Sequence, residues 1–482
     1  MSRPPLRDFV KAYDVRGLVP EQLDAAVARA LGAAFAEVIA VPEAAPGVVP
    51  QVVIGHDMRA SSPSLSRAFA EGAAGRGVDV VEIGLASTDG LYYASGALDR
   101  PGAMFTASHN PAAYNGIKLS RAGARPVGQD SGLAAIRDLA QAILDGAADL
   151  APAPRAGAIG GRDVLGAYAA FVRSLVDLTA IRPLTVVVDA GNGMGGHTVP
   201  AVLGPGAGLP ALPLTIVPLY FELDGTFPNH EANPLDPANL VDLQRAVVAH
   251  GADLGLAFDG DADRCFVVDE RGEAVSPSAI TALIARRAIA KERAAGRPRP
   301  SIVHNVITSA QVPEVIAAEG ATPVRTRVGH SFIKAEMAAH DAVFGGEHSA
   351  HYYFREFWFA DTGMLAALHV LAALGEQPDP LSALMAGYHR YAASGEINSA
   401  VADAGAATEA VRAWASGEGV EEDRLDGLTL THAGGQGDPM WWLNLRASNT
   451  EPLLRLNVEA ADAATMERVR DAALAIVRGP GR

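Results

Sequence analysis

The chain has 482 residues, 49% of them hydrophobic and 20% charged, so it holds more than one folded core and no long disordered tract. Its 39 basic and 55 acidic residues leave a net charge of −16, a field that repels phosphate backbones and anionic lipid and argues against nucleic-acid and membrane partners. The one cysteine, Cys265, excludes an intramolecular disulfide and a cysteine-based zinc cluster.

In chain order, short apolar runs lead into Gly/Ser/Asp/Asn loops and then Ala-rich helical stretches, the pattern of an α/β sheet covered by helices. Met1-Ser2-Arg3-Pro4-Pro5 lacks an apolar signal core, and the densest apolar stretch, Met364 to Leu374, is too short to span a bilayer, so the expected location is cytoplasmic. Gln51 to Ile54 predicts a strand entering Gly55-His56-Asp57 and a helix from about Ser62. Leu184 to Val188 and Ser301 to Val303 open in the same way. Three such openings, about 115 to 135 residues apart, predict three related units. Pro/Gly-rich stretches at 151–161, after Glu270-Arg271-Gly272 and at 375–380 divide the chain into expected domains of 1–155, 156–272, 273–380 and 381–482.

Only four of the basic residues are lysines, Lys11, Lys118, Lys291 and Lys334. A lysine retained in so arginine-rich a chain can do what a guanidinium cannot, which is to lose its proton. The first polar constellation is Thr106-Ala107-Ser108-His109-Asn110-Pro111, followed by Tyr114-Asn115-Gly116-Ile117-Lys118. It lacks the Gly-x-Ser-x-Gly elbow of a hydrolase. Next, Gly191, Gly193 and Gly196 satisfy G-x-G-x-x-G after a strand, with Glu222 further on, which opens a dinucleotide-dependent oxidoreductase as an alternative. Asp189-Ala190 intrudes between strand and glycines, so a helix-capping loop fits better.

Leu254 to Phe258 predicts a strand running into Asp259-Gly260-Asp261-Ala262-Asp263-Arg264. Three aspartates this close repel unless a cation holds them, and all-oxygen ligation suits Mg²⁺. A calcium-binding EF-hand fails because Arg264 stands where that loop needs glycine and because the flanks read as strands. Val328-Gly329-His330-Ser331-Phe332-Ile333-Lys334 and Gly345-Gly346-Glu347-His348-Ser349-Ala350-His351 are glycine-bounded polar loops suited to a hydroxyl-rich ligand. Arg446-Ala447-Ser448-Asn449-Thr450, with Arg455 behind it, has the composition of a phosphate cradle.

Taken together and in this order, the motifs resemble those of the α-D-phosphohexomutase family, the phosphomannomutase/phosphoglucomutase enzymes, from Phe9 to Gly17 through to the cradle. The resemblance implies three related α/β/α domains and a smaller α+β C-terminal domain around a central cleft. It implies an isomerase that interconverts hexose 1-phosphate and 6-phosphate through a phosphoserine and a hexose 1,6-bisphosphate. Ser108 matches the phosphorylated serine; Asp259, Asp261 and Asp263 match the Mg²⁺ ligands, with Ser108 completing the site. Arg16, His109, Lys118 and His330 match positions at the reacting groups, either a lysine of depressed pKa or a near-neutral histidine moving the proton. Tyr13, Arg264, Gly329, Lys334, Glu347, Ser349, His351, Arg446, Ser448, Asn449, Thr450 and Arg455 match substrate-binding positions.

The implied partners are a phosphosugar, Mg²⁺ and a bisphosphate activator, in a monomer or weak homodimer, with mannose phosphate the leading substrate and amino-sugar phosphates the alternative. The family commonly has Met or Gln where His348 stands, and some members have a lysine within the stretch Ile307-Thr308-Ser309. Both departures touch sugar recognition rather than chemistry.

Overall fold

Gln51–His56 forms the strand its apolar run predicts, parallel to Asp79–Leu85 on one side and to Gly102–Phe105 on the other. The computed structural model describes residues 4–11, 13–148, 150–416, 419–435, 438–447 and 453–479. They form two compact units, one of Met1–Val275 with Ser349–Leu384 and one of Ser276–His348 with Met385–Arg482.

In the first unit, the leading sheet runs in the order Val15–Leu18, Tyr114–Arg121, Gly102–Phe105, Gln51–His56, Asp79–Leu85, Ile159–Gly161. Tyr114–Arg121 is antiparallel to both of its neighbours in that order. Side chains alternate across the pleat, so Val52 and Ile54 enter one core with helices Ala25–Phe35 and Ser62–Ala74 while Val53 enters the opposite one with Leu91 and Met104. One helical run among the described residues, Ala25–Glu43, is long and apolar enough to cross a membrane by length and composition alone. Val27, Leu31, Phe35 and Ile39 of that run are fully packed in the domain core.

The second sheet has the order Ala274–Val275, Cys265–Asp269, Leu254–Phe258, Leu184–Asp189, Leu214–Leu219. Leu254–Phe258 and Cys265–Asp269 are antiparallel, with Phe258 opposite Cys265, so residues 259–264 form the turn of a hairpin whose strands are wholly buried. The flanks of the three-aspartate loop are therefore strands, as expected. The hairpin Tyr352–Phe354/Ala360–Asp361 and the buried helix Gly363–Gly375 also belong to this unit.

In the second unit, Ser301–Asn305 lies parallel to both Thr322–Thr326 and Phe344–Gly346. The terminal sheet is antiparallel, in the order Ala392–Ala400, Leu453–Ala460, Trp441–Ala447, Leu428–His432, Glu421–Asp423. Its core of Leu428, Trp441, Leu443, Leu454 and Leu456 packs with Val411, Val469 and Ala473 of helices Ala404–Ala415 and Ala463–Arg478.

Candidate functional site

Ser108 lies in the loop that leaves strand Gly102–Phe105, with a φ of 50°, a left-handed conformation uncommon for a residue with a Cβ. Its amide donates to Thr106 Oγ1 at 2.9 Å. Its hydroxyl donates to Asp259 Oδ2 at 2.7 Å and stands 3.2 Å from His109 Nδ1. Burial, helped by the Arg264 and Arg16 cations, pushes the His109 imidazole well below its ordinary range, so that ring is neutral near pH 7.

Asp259, Asp261 and Asp263 are buried, and each offers an oxygen within 4.8 Å of the others. Asp261 Oδ1 and Asp263 Oδ1 accept no hydrogen bond although both are shielded from solvent. Two orphaned carboxylate oxygens in an all-oxygen set fit a hard divalent cation, which takes such ligands and would relieve the desolvation of both. The remaining carboxylate atoms are held by Arg264 at the end of the loop and by Thr88 and Lys118 from outside it. Arg264 Nε donates to Asp259 Oδ2 at 3.0 Å and its amide donates to Oδ1 at 3.1 Å. Thr88 Oγ1 donates to Asp261 Oδ2 at 2.5 Å. Lys118 Nζ bridges Asp261 Oδ2 at 2.7 Å and Asp263 Oδ2 at 2.5 Å.

Charge within the loop is unevenly shared. Burial raises Asp259, while Lys118 overcomes burial at Asp261 and holds it far below the carboxylate range. Burial by itself would lower Lys118, but Asp261 and Asp263 raise it well above its ordinary value. Of the two proton carriers the sequence left open, the depressed lysine does not hold for Lys118: two carboxylates within ion-pair distance keep the ammonium charged.

Arg16 joins the same unit, its Nη1 donating to Asn110 Oδ1 at 2.5 Å and its Nε to Asp14. Tyr13 is half-buried in the bend before strand Val15–Leu18. His351 pairs with Arg264 in an isolated antiparallel bridge, lies 2.9 Å from Ser349 Oγ and reaches within 3.7 Å of Asp263. Asp361 lies within ligand distance of both Asp263 and His351.

The other candidates belong to the second unit. Glu347 is buried and accepts from Asn305 Nδ2 at 3.0 Å and from the Gly329 amide at 3.1 Å, which fixes its carboxylate at the turn that opens helix His330–Ala339. Gly329 has a φ of 132°, a conformation that other residues rarely adopt. Lys334 is buried one turn into the same helix. His348 turns towards Ser278, with 3.3 Å between Nδ1 and Oγ. Arg446 and Arg455 share one carboxylate, Glu396, at 2.6 and 3.0 Å. Ser448, Asn449 and Thr450 lie outside the described residues.

Within the first unit, then, Ser108, His109, Lys118, Arg16, Arg264, His351 and the three aspartates are brought together. Sequence reading missed Arg59, Thr88, Asp361 and Glu396, which touch these motifs from far along the chain. A cue existed only for Arg59, in the polar Asp57-Met58-Arg59 turn after a strand. The glycine loop proves to be packing. A Cβ on Gly193 would lie 2.7 Å from Gly260 O, and one on Gly196 would lie 2.1 Å from Phe221 O, so neighbouring backbone fills the place a pyrophosphate would take.

Phosphoglucomutase/phosphomannomutase α/β/α domains I, II and III match residues 7–145, 166–272 and 276–391, and the C-terminal domain of the same family matches 396–476. Phosphohexose mutases of Xanthomonas campestris pv. campestris are 40% identical over 460 residues, covering 95% of this chain and 96% of theirs. The phosphomannomutase of Salmonella typhimurium is 39% identical over 456 residues, covering 93% and 94%. Among solved structures, a phosphoglucomutase/phosphomannomutase family protein from Burkholderia thailandensis superposes with a TM-score of 0.84 at 30% identity, covering 99% of both chains.

Proposed function

The chain belongs to the phosphoglucomutase/phosphomannomutase family and is a phosphohexomutase, an isomerase, and from that premise we propose that it moves a phosphoryl group between the 1- and 6-positions of a hexose by way of phosphorylated Ser108. The observation that carries this reading is the 2.7 Å contact from Ser108 Oγ to Asp259 Oδ2, which brings a nucleophilic hydroxyl onto a buried three-carboxylate cluster. Phosphoserine 108 transfers its group to the free hydroxyl of a hexose phosphate: the P–Oγ bond breaks, the P–O(sugar) bond forms, and the sugar hydroxyl proton leaves to a base. The resulting 1,6-bisphosphate reorients and returns its other phosphate to Ser108. No water is consumed.

Asp259, Asp261 and Asp263 would hold Mg²⁺, which supplies electrostatic stabilisation of the phosphoryl oxygens. Lys118, kept charged, and Arg264 add fixed positive charge beside the same serine, where preorganised electrostatics do most of the work of phosphoryl transfer. The neutral His109 ring against Oγ is available to hold a proton there. Ser108→Ala removes only the hydroxyl. Intact-mass measurement after incubation with glucose 1,6-bisphosphate is expected to show one added phosphate on wild type, none on the variant, and mutase turnover lost with it. A fully active variant sinks the phosphoserine reading.

Mannose and glucose phosphates are the proposed substrates, since the family resemblance puts Glu347 and Ser349 in the sugar-recognition loop, where they would hold adjacent hydroxyls that the two hexoses present alike. A site reading shared hydroxyls discriminates weakly at C2, because large ratios arise only when the wrong substrate leaves a buried group unpaired. Assayed as 1-phosphates with a bisphosphate activator, both are expected to turn over and galactose, inverted at C4, poorly. A glucose-to-mannose ratio beyond about a thousandfold, roughly 4 kcal/mol, refutes the shared-hydroxyl argument.

A further inference from the structure

Arg59 follows the strand Gln51–His56, is 2% exposed, and is itself used neither by the sequence motifs nor by the proposed chemistry. Its guanidinium is spent almost entirely on one loop. Nη2 donates to Ser108 O at 2.9 Å and to Asn110 O at 2.6 Å, while Nη1 donates to Pro111 O and to Tyr114 O, both at 2.9 Å. Nε faces Asp57 Oδ2 at 3.3 Å. Asp57 is itself fixed, accepting from the Arg59 amide at 3.0 Å and from Ser62 Oγ at 2.6 Å. The Phe227 ring covers the guanidinium, its centroid 5.1 Å from Cζ.

From this geometry we infer that Arg59 is a positioning residue for the proposed phosphoryl transfer: by gathering four carbonyls of the 108–114 loop on one rigid fork, it holds Ser108 in the left-handed conformation that aims Oγ at Asp259. Four of the five guanidinium N–H groups donate to these carbonyls, and the fifth, on buried Nε, faces Asp57 without a hydrogen bond, so the guanidinium is turned to this loop and the role is exerted through Ser108. The conformation needs such support. A residue with a Cβ at φ 50° is strained and persists only where its surroundings over-determine it. The carbonyl that Arg59 grips is also the one against which Gly260 packs, where a Cβ would lie 2.4 Å from Ser108 O. Fixing that carbonyl fixes the distance between the serine and the three-aspartate loop. Lysine cannot replace this function, because a point ammonium has three donors and no planar fork.

The inference rests on the phosphoserine reading, and its test separates the two. Wild type and Arg59→Lys are compared for kcat, for KM on mannose 1-phosphate, for the rate of Ser108 phosphorylation by glucose 1,6-bisphosphate, and for Tm. The expected result is a 10- to 100-fold fall in kcat and in phosphorylation rate, the scale of an ångström-sized misplacement, with KM within about threefold and the variant still folded. A folded Arg59→Lys protein with wild-type kcat, or one whose loss falls on KM alone, overturns the inference. If Arg59→Lys does not fold, Asp57→Asn replaces it, since it removes the charge partner of the fork; a several-fold fall in kcat at constant KM is expected, and unchanged kcat overturns the inference. Wild type that never takes phosphate on Ser108 defeats the phosphoserine reading, and this inference with it.

Discussion

Asp259 and Asp261 of the 259–263 loop meet different neighbours, and the neighbour rather than the residue type sets the state of each. Asp259 has Ser108 and Arg264, whereas Asp261 has Thr88 and Lys118. Replacing Asp261 with asparagine keeps the shape, removes the charge a hard cation requires, and weakens the hold on Lys118. An initial-rate titration with Mg²⁺ is expected to show a lower maximal rate and a higher midpoint for Asp261→Asn. EDTA-treated wild type should be inactive and recover on adding Mg²⁺. Full activity of thoroughly chelated wild type would refute the assignment of these aspartates to a metal.

Among elements, the cover of the first sheet depends on two helices that touch backbone to backbone. On helix Ala25–Phe35 a Cβ at Gly32 would lie 2.1 Å from Phe69 O, and on helix Ser62–Ala74 one at Gly72 would lie 2.0 Å from Arg29 O. Gly32→Ala gains helix propensity of about 1 kcal/mol but must separate two packed helices, and overpacking of this kind costs about 1–3 kcal/mol or more. The contact is with backbone, which cannot rotate away, so the clash prevails. With the clash prevailing by about 1–2 kcal/mol, thermal unfolding of Gly32→Ala is expected about 2–8 °C below wild type, at roughly 2–4 °C per kcal/mol for a domain of this size. A Tm equal to or above wild type would mean that the helices are free to move apart.

At the scale of the whole first unit, three stretches distant in sequence meet at one buried carboxylate. Asp89 Oδ2 accepts from Tyr168 OH and from Thr362 Oγ1, each at 2.7 Å, and Ser87 Oγ donates to Oδ1. Burial outweighs these three donors and pushes Asp89 up to about 6. The sign follows from linkage. The folded state binds the proton more tightly than the unfolded chain, which ionises near the ordinary 3.8, so this carboxyl favours folding below about pH 4 and the advantage is lost as pH rises through 6. The change is on the order of 3 kcal/mol. Asparagine does not titrate, so the Tm of Asp89→Asn is expected to climb relative to wild type between pH 4 and 7 and then run parallel to it. A difference that stays constant with pH would show that Asp89 ionises normally.

The sequence by itself determined the α/β class, the strands beginning at Gln51, Leu184, Leu254 and Ser301, and the chemical character of the serine and three-aspartate loops, because those rest on local periodicity and on side-chain types close together along the chain. Distance along the chain hid the rest. Arg59 and Thr88 reach Ser108 and Asp261 only because the sheets and their loops fold them together, and nothing beside either residue in sequence announces its partner. Charge state was likewise a tertiary decision: a lysine's own chemistry permits a depressed pKa, and Lys118 is raised because two carboxylates from another sheet surround its ammonium. The glycines at 191–196 read locally as a nucleotide loop, and only the approach of Gly260 and Phe221 shows that their missing side chains make room for the protein's own backbone. Local sequence fixes what a residue can do, and long-range packing, through burial and neighbouring charge, fixes which of those things it does.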